Sequence, residues 1–153
     1  MNYYHKQFGT VLVAILAATL VIMALAFGRN AELRTLQVEV PIILLLAIVL
    51  FYALTVEIKD GTLFIRMGIG LIRRRIPLAD IVQARKVRIP LLAGYGIHGF
   101  PGAGWVWNVS GRDGVQLDLV KGGRLIIGTD EPEELVKAIE DKKAQKTFYI
   151  RSN

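Results

Sequence analysis

Val40-Pro41-Ile42-Ile43-Leu44-Leu45-Leu46-Ala47-Ile48-Val49-Leu50-Phe51-Tyr52-Ala53-Leu54-Thr55-Val56-Glu57-Ile58-Lys59 changes character part-way along. It opens as an unbroken apolar run. It closes as an alternating strand, with Leu54, Val56 and Ile58 on one side and Thr55, Glu57 and Lys59 on the other. The hydrophobic period therefore passes from continuous to two within a few residues.

Charge divides at the same place. All but five of the 32 Asp, Glu, Lys and Arg residues lie from Glu57 onward. Gln7–Gly28 holds no charge over 22 residues, and Val40–Val56 none over 17. A stretch of 22 residues is about 33 Å of helix, against a hydrocarbon core of about 30 Å. The second run lies at the short end of the spanning range, unless its helix starts at a Thr35 cap or the bilayer thins. Pro41 then falls in the first turns, where a missing N–H matters least. These runs predict a transmembrane helical hairpin over residues 1–53 and a domain over 54–153. A cleaved leader ending near Ala24-Leu25-Ala26 and a re-entrant second helix are the competing readings. The small residues Ala14 and Ala18 would let the two helices pack closely.

The cations after the second run place the domain and the N-terminus in the cytoplasm by the positive-inside rule. The expected location is the inner (cytoplasmic) membrane, multi-pass. No span carries an ionisable side chain, which argues against an ion path. Cysteine is absent, which excludes disulfides and thiolate metal sites.

The soluble half reads as short strands and turns: Leu54–Lys59, Thr62–Met67, Leu71–Ile76, Val82–Ile89, Trp105–Ser110, Val115–Val120 and Arg124–Thr129. Asp60-Gly61 is a two-residue hairpin turn requiring φ > 0 at both centres. Pro90 to Gly104 is a long glycine-rich connection. A final helix follows, with Asp130 and Glu133 in capping-box spacing and Leu135, Ala138 and Ile139 as its apolar stripe. The expected fold class is α+β, mainly β: two transmembrane helices, then a seven-stranded antiparallel sandwich or barrel with one C-terminal helix.

Tyr95-Gly96-Ile97, Trp107-Asn108-Val109-Ser110-Gly111, Val115-Gln116-Leu117 and Ile127-Gly128-Thr129-Asp130-Glu131-Pro132-Glu133-Glu134-Leu135 resemble the second half of bacterial PH-like (pleckstrin-homology-like) domain membrane proteins. The resemblance implies a membrane-tethered cytoplasmic module and carries no ligand or reaction. Lys59 and Arg66 fall where phosphoinositide-binding relatives cluster cations, but the fuller basic motif is missing.

Candidate chemistry is sparse. Gly94-x-Gly96-x-x-Gly99 matches a dinucleotide fingerprint on paper but lacks the following helix. His5 and His98 are the only histidines and have no evident ligand partners. Asp113 and Asp118 read as a turn and an outward strand residue, and Ser110 sits in no triad pattern. No enzyme, metal or cofactor is expected. The interaction reading docks a protein partner through Tyr95, His98, Phe100 and Trp105. The alternative is an anionic lipid-headgroup site at Arg66, Arg73, Arg74, Arg75, Arg85, Lys86 and Arg88, a stretch with one acid, Asp80. Arg73, Arg74 and Arg75 cannot share one face if they lie in a strand. Charge also permits a nucleic-acid contact, but the expected tether argues against it, and no nucleic-acid partner is expected.

Overall fold

The computed structural model describes residues 3–27, 34–90, 93–102 and 104–151. The chain opens with a strand, β1 (Tyr3–Phe8), and only then enters helices α1 (Thr10–Phe27) and α2 (Arg34–Phe51). Strands β2 (Ala53–Lys59), β3 (Thr62–Met67) and β4 (Ile72–Pro77) follow. A 3-10 turn at Leu78–Asp80 leads to β5 (Ile81–Arg88), β6 (Gly96–Phe100), β7 (Gly104–Asn108), β8 (Asp113–Leu119) and β9 (Arg124–Gly128). Helix α3 (Pro132–Arg151) ends the described chain.

The strands form two open sheets, ordered β1-β2-β3-β4 and β5-β8-β9-β7-β6. Neither closes into a barrel. The seven-stranded PH-like sandwich is therefore corrected to a mixed α+β domain with, among the described residues, nine strands and three helices. Two strands account for the difference. β1 pairs antiparallel with β2 from Tyr3↔Ile58 to Phe8↔Ala53, although the expected boundary at residues 53 and 54 separates them. β6 forms inside the expected glycine-rich connection and pairs with β7. A further departure is parallel pairing: β9 inserts between β8 and β7 and runs parallel to β7.

The two sheets and α3 enclose one core. Leu54, Ile58, Leu63, Ile65 and Met67 from the first sheet meet Val115, Leu117, Leu125 and Ile127 from the second, with Leu135 and Ile139 from α3. A smaller cluster of Ile89, Ala93, Val106 and Ile126 lies on the second sheet's other side. Val106 and Trp107 are thus both buried, on opposite faces of β7. Gly128 is held close to Asn108, where any Cβ would collide with the amide of that side chain. Asn108 in turn donates to the carbonyls of Gly94 and Gly111 and accepts from the Ser110 N–H.

The two transmembrane helices are also corrected. Among the described residues no helix is long and apolar enough to cross a membrane. The helices differ from the apolar runs in where they begin and end. Gln7 and Phe8, counted in the first apolar run, belong to β1, leaving α1 at 18 residues, about 27 Å. Helix α2 starts at Arg34 and contains Glu39, so its uncharged part runs only from Val40 to Phe51, about 18 Å. Thr35 lies inside α2 rather than capping it, and Pro41 stands in its interior. The multi-pass inner-membrane location rested on those spans and falls with them. The connector expected at Arg29 to Glu39 lies partly outside the described residues.

Helices α1 and α2 pack on each other, and the half-buried residues Leu12, Leu16, Leu20 and Met23 of α1 and Val40, Leu44, Ala47 and Ile48 of α2 recur at helical spacing. Their remaining faces are apolar as well: Val11, Ile15, Val21, Ile22, Leu25, Ile42, Ile43, Leu45, Leu46 and Val49 are exposed. Apolar surface on that scale associates in water. Replacing Ile15, Ile22, Ile42 and Leu46 by Gln should lower concentration-dependent association in sedimentation velocity; an unchanged distribution would contradict this.

The chain enters and leaves the helices at one place. The Gly9 N–H donates to the Tyr52 carbonyl at 2.8 Å, and the Gly68 N–H donates to that of Ala53 at 2.8 Å. Gly68 has φ +56°, and a Cβ there would strike the Leu50 and Val49 carbonyls at the end of α2. Gly61 has φ +71° with open space around it. Gly61→Ala should lose about 1 kcal/mol from the left-handed backbone alone. Gly68→Ala adds a collision with backbone and should lose more than about 2 kcal/mol. Urea titration of both variants measures the difference, and equal losses would refute the close approach.

Candidate functional site

Strand alternation gives the first sheet an inner and an outer face. Tyr3, His5 and Gln7 face inward beside Leu54, Val56 and Ile58. Tyr4, Lys6 and Phe8 therefore face outward. Register extends this outer face into two cross-strand rows. One is Tyr4–Glu57–Phe64–Arg75 and the other Lys6–Thr55–Arg66–Arg73. Lys59, opposite Thr62 in the next row, lies on the same side, so among the described residues five cations and three aromatic rings, those of Tyr4, Phe8 and Phe64, share the face with one carboxylate, Glu57.

Its contacts are local. Arg66 Nη2 donates to Glu57 Oε2 on the neighbouring strand. The Arg75 guanidinium lies 5.6 Å from the Phe64 ring centroid. Lys6 Nζ sits 5.0 Å from the Phe8 ring and 5.1 Å from the Tyr52 ring, and donates to the Tyr52 hydroxyl at 3.5 Å. Tyr4 and Phe8 remain 61% and 55% exposed. Arg66 and Arg73 stand directly opposite each other. Like charges so placed repel.

The expected basic stretch is thus divided. Arg66, Arg73 and Arg75 share the outer face. Arg74, opposite Ile65, lies on the other side and is half-buried. Arg85, Lys86 and Arg88 stand on β5 in the second sheet. A register shift between Ile81 and Gln83 breaks the alternation of β5, which is why its faces cannot be read from period two. Lys86 Nζ donates to Glu133 Oε1, which raises the Lys86 pKa and lowers that of Glu133. Lys6, Tyr4, Phe8 and Phe64 are the members that sequence reasoning missed. The alternation of Tyr4, Lys6 and Phe8 against Tyr3, His5 and Gln7 is the signal for the β1 residues, but it abuts the apolar run.

The expected partner-binding residues gather on the second sheet's β6 edge. His98 and Phe100 are in β6 and exposed Trp105 is in β7, opposite Gly99; Tyr95 immediately precedes β6. His98 Nε2 is buried without a hydrogen-bond partner among the described residues. Gly96 and Gly99 lie in β6, so the dinucleotide spacing falls on a strand rather than a loop opening a helix.

A second cluster lies where β1 meets α3. His5, 15% exposed, has Nε2 at 2.6 Å from Asp130 Oδ1 and Nδ1 at 3.0 Å from Glu131 Oε2. The expected capping box is corrected: Asp130 turns to His5 and Glu133 to Lys86, while Thr129 Oγ1 accepts the Glu131 N–H. Pro132 opens the helix, where its missing N–H has no intrahelical role. A cleft of about 560 Å³ runs beside this junction, lined in part by Tyr3, Tyr4, Glu131, Glu134 and Asp141. Burial, then the Glu131 and Glu134 carboxylates, pushes the Tyr3 phenol pKa well up. Among the described residues no group of three or more His, Asp or Glu side chains is disposed to hold a metal ion.

No family model matches the chain, and no curated protein matches it. The resemblance to bacterial PH-like domain membrane proteins is accordingly withdrawn, and no helix among the described residues supplies the membrane span it implied. The membrane-anchored PH-like docking module and the lipid-headgroup alternative both presupposed the transmembrane hairpin, and neither is retained.

His5→Ala removes both contacts between β1 and the start of α3. Because the carboxylates are partly exposed, the expected loss is about 0.5–1.5 kcal/mol by urea titration. No loss would mean the junction is held by packing alone.

Proposed function

We propose that this chain is a non-catalytic binding domain that takes a phosphate-bearing polyanion on the outer face of its first sheet. The observation that carries the reading is the pair of cross-strand rows, which sets Lys6, Arg66, Arg73 and Arg75 on one face against Glu57 alone. A face that holds Arg66 opposite Arg73 gains from an anion laid between them. Exposed Tyr4 and Phe8 add ring surface on which planar groups stack. The objection to a nucleic-acid partner came from the expected tether, and it lapses with the tether.

The test is fluorescence anisotropy of the full chain with a short labelled oligodeoxythymidine, competed by inositol hexakisphosphate. Arg73→Ala and Arg75→Ala should each weaken binding and flatten log K against log salt by about 0.7, the share of one single-strand phosphate. Arg85→Ala, on the other sheet, should change neither. Absence of salt-dependent binding, or an equal loss in Arg85→Ala, would refute the site.

A further inference from the structure

Glu57 is the single carboxylate in the two outward rows, and it is spent on one cation. Its register partner across β2 and β3 is Phe64, while Thr55 faces Arg66, so the Arg66–Glu57 contact is diagonal. The Glu57 side chain is 26% exposed and that of Arg66 42%. Arg66 meets Arg73 directly. The diagonal carboxylate therefore relieves a repulsion that the strand register imposes.

An anion arriving between Arg66 and Arg73 would meet the same guanidinium to which Glu57 is already bonded through Nη2. Carboxylate and phosphate are both bound by the guanidinium fork through paired N–H donors. They cannot share it without bringing two negative charges together.

We infer that Glu57 is an internal stand-in for a ligand phosphate and sets how tightly the face binds. Glu57 holds Arg66 in place and cancels its charge while the face is empty. A bound phosphate takes over the Arg66 fork and turns Glu57 out toward solvent. Glu57 is a positioning residue acting through Arg66, and its presence weakens the site. The inference rests on the polyanion reading above.

Removing the carboxylate then has opposite effects on stability and on binding. In Glu57→Gln the free protein should melt at a lower temperature than wild type, because Arg66 and Arg73 repel without relief. The same variant should bind the labelled oligodeoxythymidine more tightly, and its log K should fall more steeply with log salt by about 0.7, one further neutralised phosphate. The rise in melting temperature on adding the oligonucleotide should exceed that of wild type. In an Arg66→Ala background, Glu57→Gln should leave affinity and salt slope unchanged.

A lower melting temperature with affinity and slope as in wild type would overturn the inference, leaving Glu57 as a structural counter-ion. A tightening that persists with Arg66→Ala would also overturn it, since the effect would then be net charge alone. The polyanion reading fails separately, through an Arg73→Ala variant that binds as wild type does, and the inference falls with it.

Discussion

The pairing of β1 with β2 is the constraint on which the rest of the structure depends. It joins Tyr3–Phe8 to Ala53–Lys59 across both helices. Closing a flexible loop of about 44 residues carries roughly 3 kcal/mol of loop entropy before any constant term. The packing of α1 on α2 lowers that penalty, because two antiparallel helices return the chain to its starting point. The Gly9–Tyr52 hydrogen bond marks where the ends meet. The helical hairpin is thus an insertion in a β-hairpin, and β1 completes a sheet whose inner face is already committed to the core.

Much of that sheet is legible in the residues. Asp60 and Gly61 take φ of 49° and 71°, as a two-residue turn between twisted strands requires. Leu54, Val56 and Ile58 are buried, and so are Leu63, Ile65 and Met67. β1 is not legible because its signal is six residues long and merges with an apolar run. Counting Gln7 and Phe8 into that run lengthens the apparent helix and hides the strand. The same overlap lengthens the first expected span; in the second, residues from Ala53 onward belong to β2 and Glu39 lies within α2. β6 is hidden for a different reason. Gly96 and Gly99 give it weak strand propensity, and its pairing to β7 is tertiary.

The candidate face is legible only in part. Alternation separates Arg74 from Arg73 and Arg75 without any structure. It does not bring Lys6 beside them, since that needs the register of β1 on β2. Nor does it remove Arg85, Lys86 and Arg88, which are close in sequence but stand on another sheet. A basic stretch in sequence and a basic face in space are therefore different sets that share Arg66, Arg73 and Arg75. Like-charged neighbours across strands do not stabilise a sheet. Here they are tolerated because burial of the inner face supplies the stability and the outer face is free to carry strain.

The outer face and the helices share a border. Phe8 and Tyr52 flank the point where the chain passes between sheet and hairpin, with ring centroids 6.3 Å apart. Lys6 bridges them, over both rings and within reach of the Tyr52 hydroxyl. Lys6 is also the β1 member of the row that contains Arg66 and Arg73. An anion that drew Lys6 along that row would weaken its hold on Tyr52, the residue that follows α2. The ammonium can sit over the rings or over the row, and its flexible stem spans both. Charge on the sheet and the seating of the hairpin thus compete for one side chain.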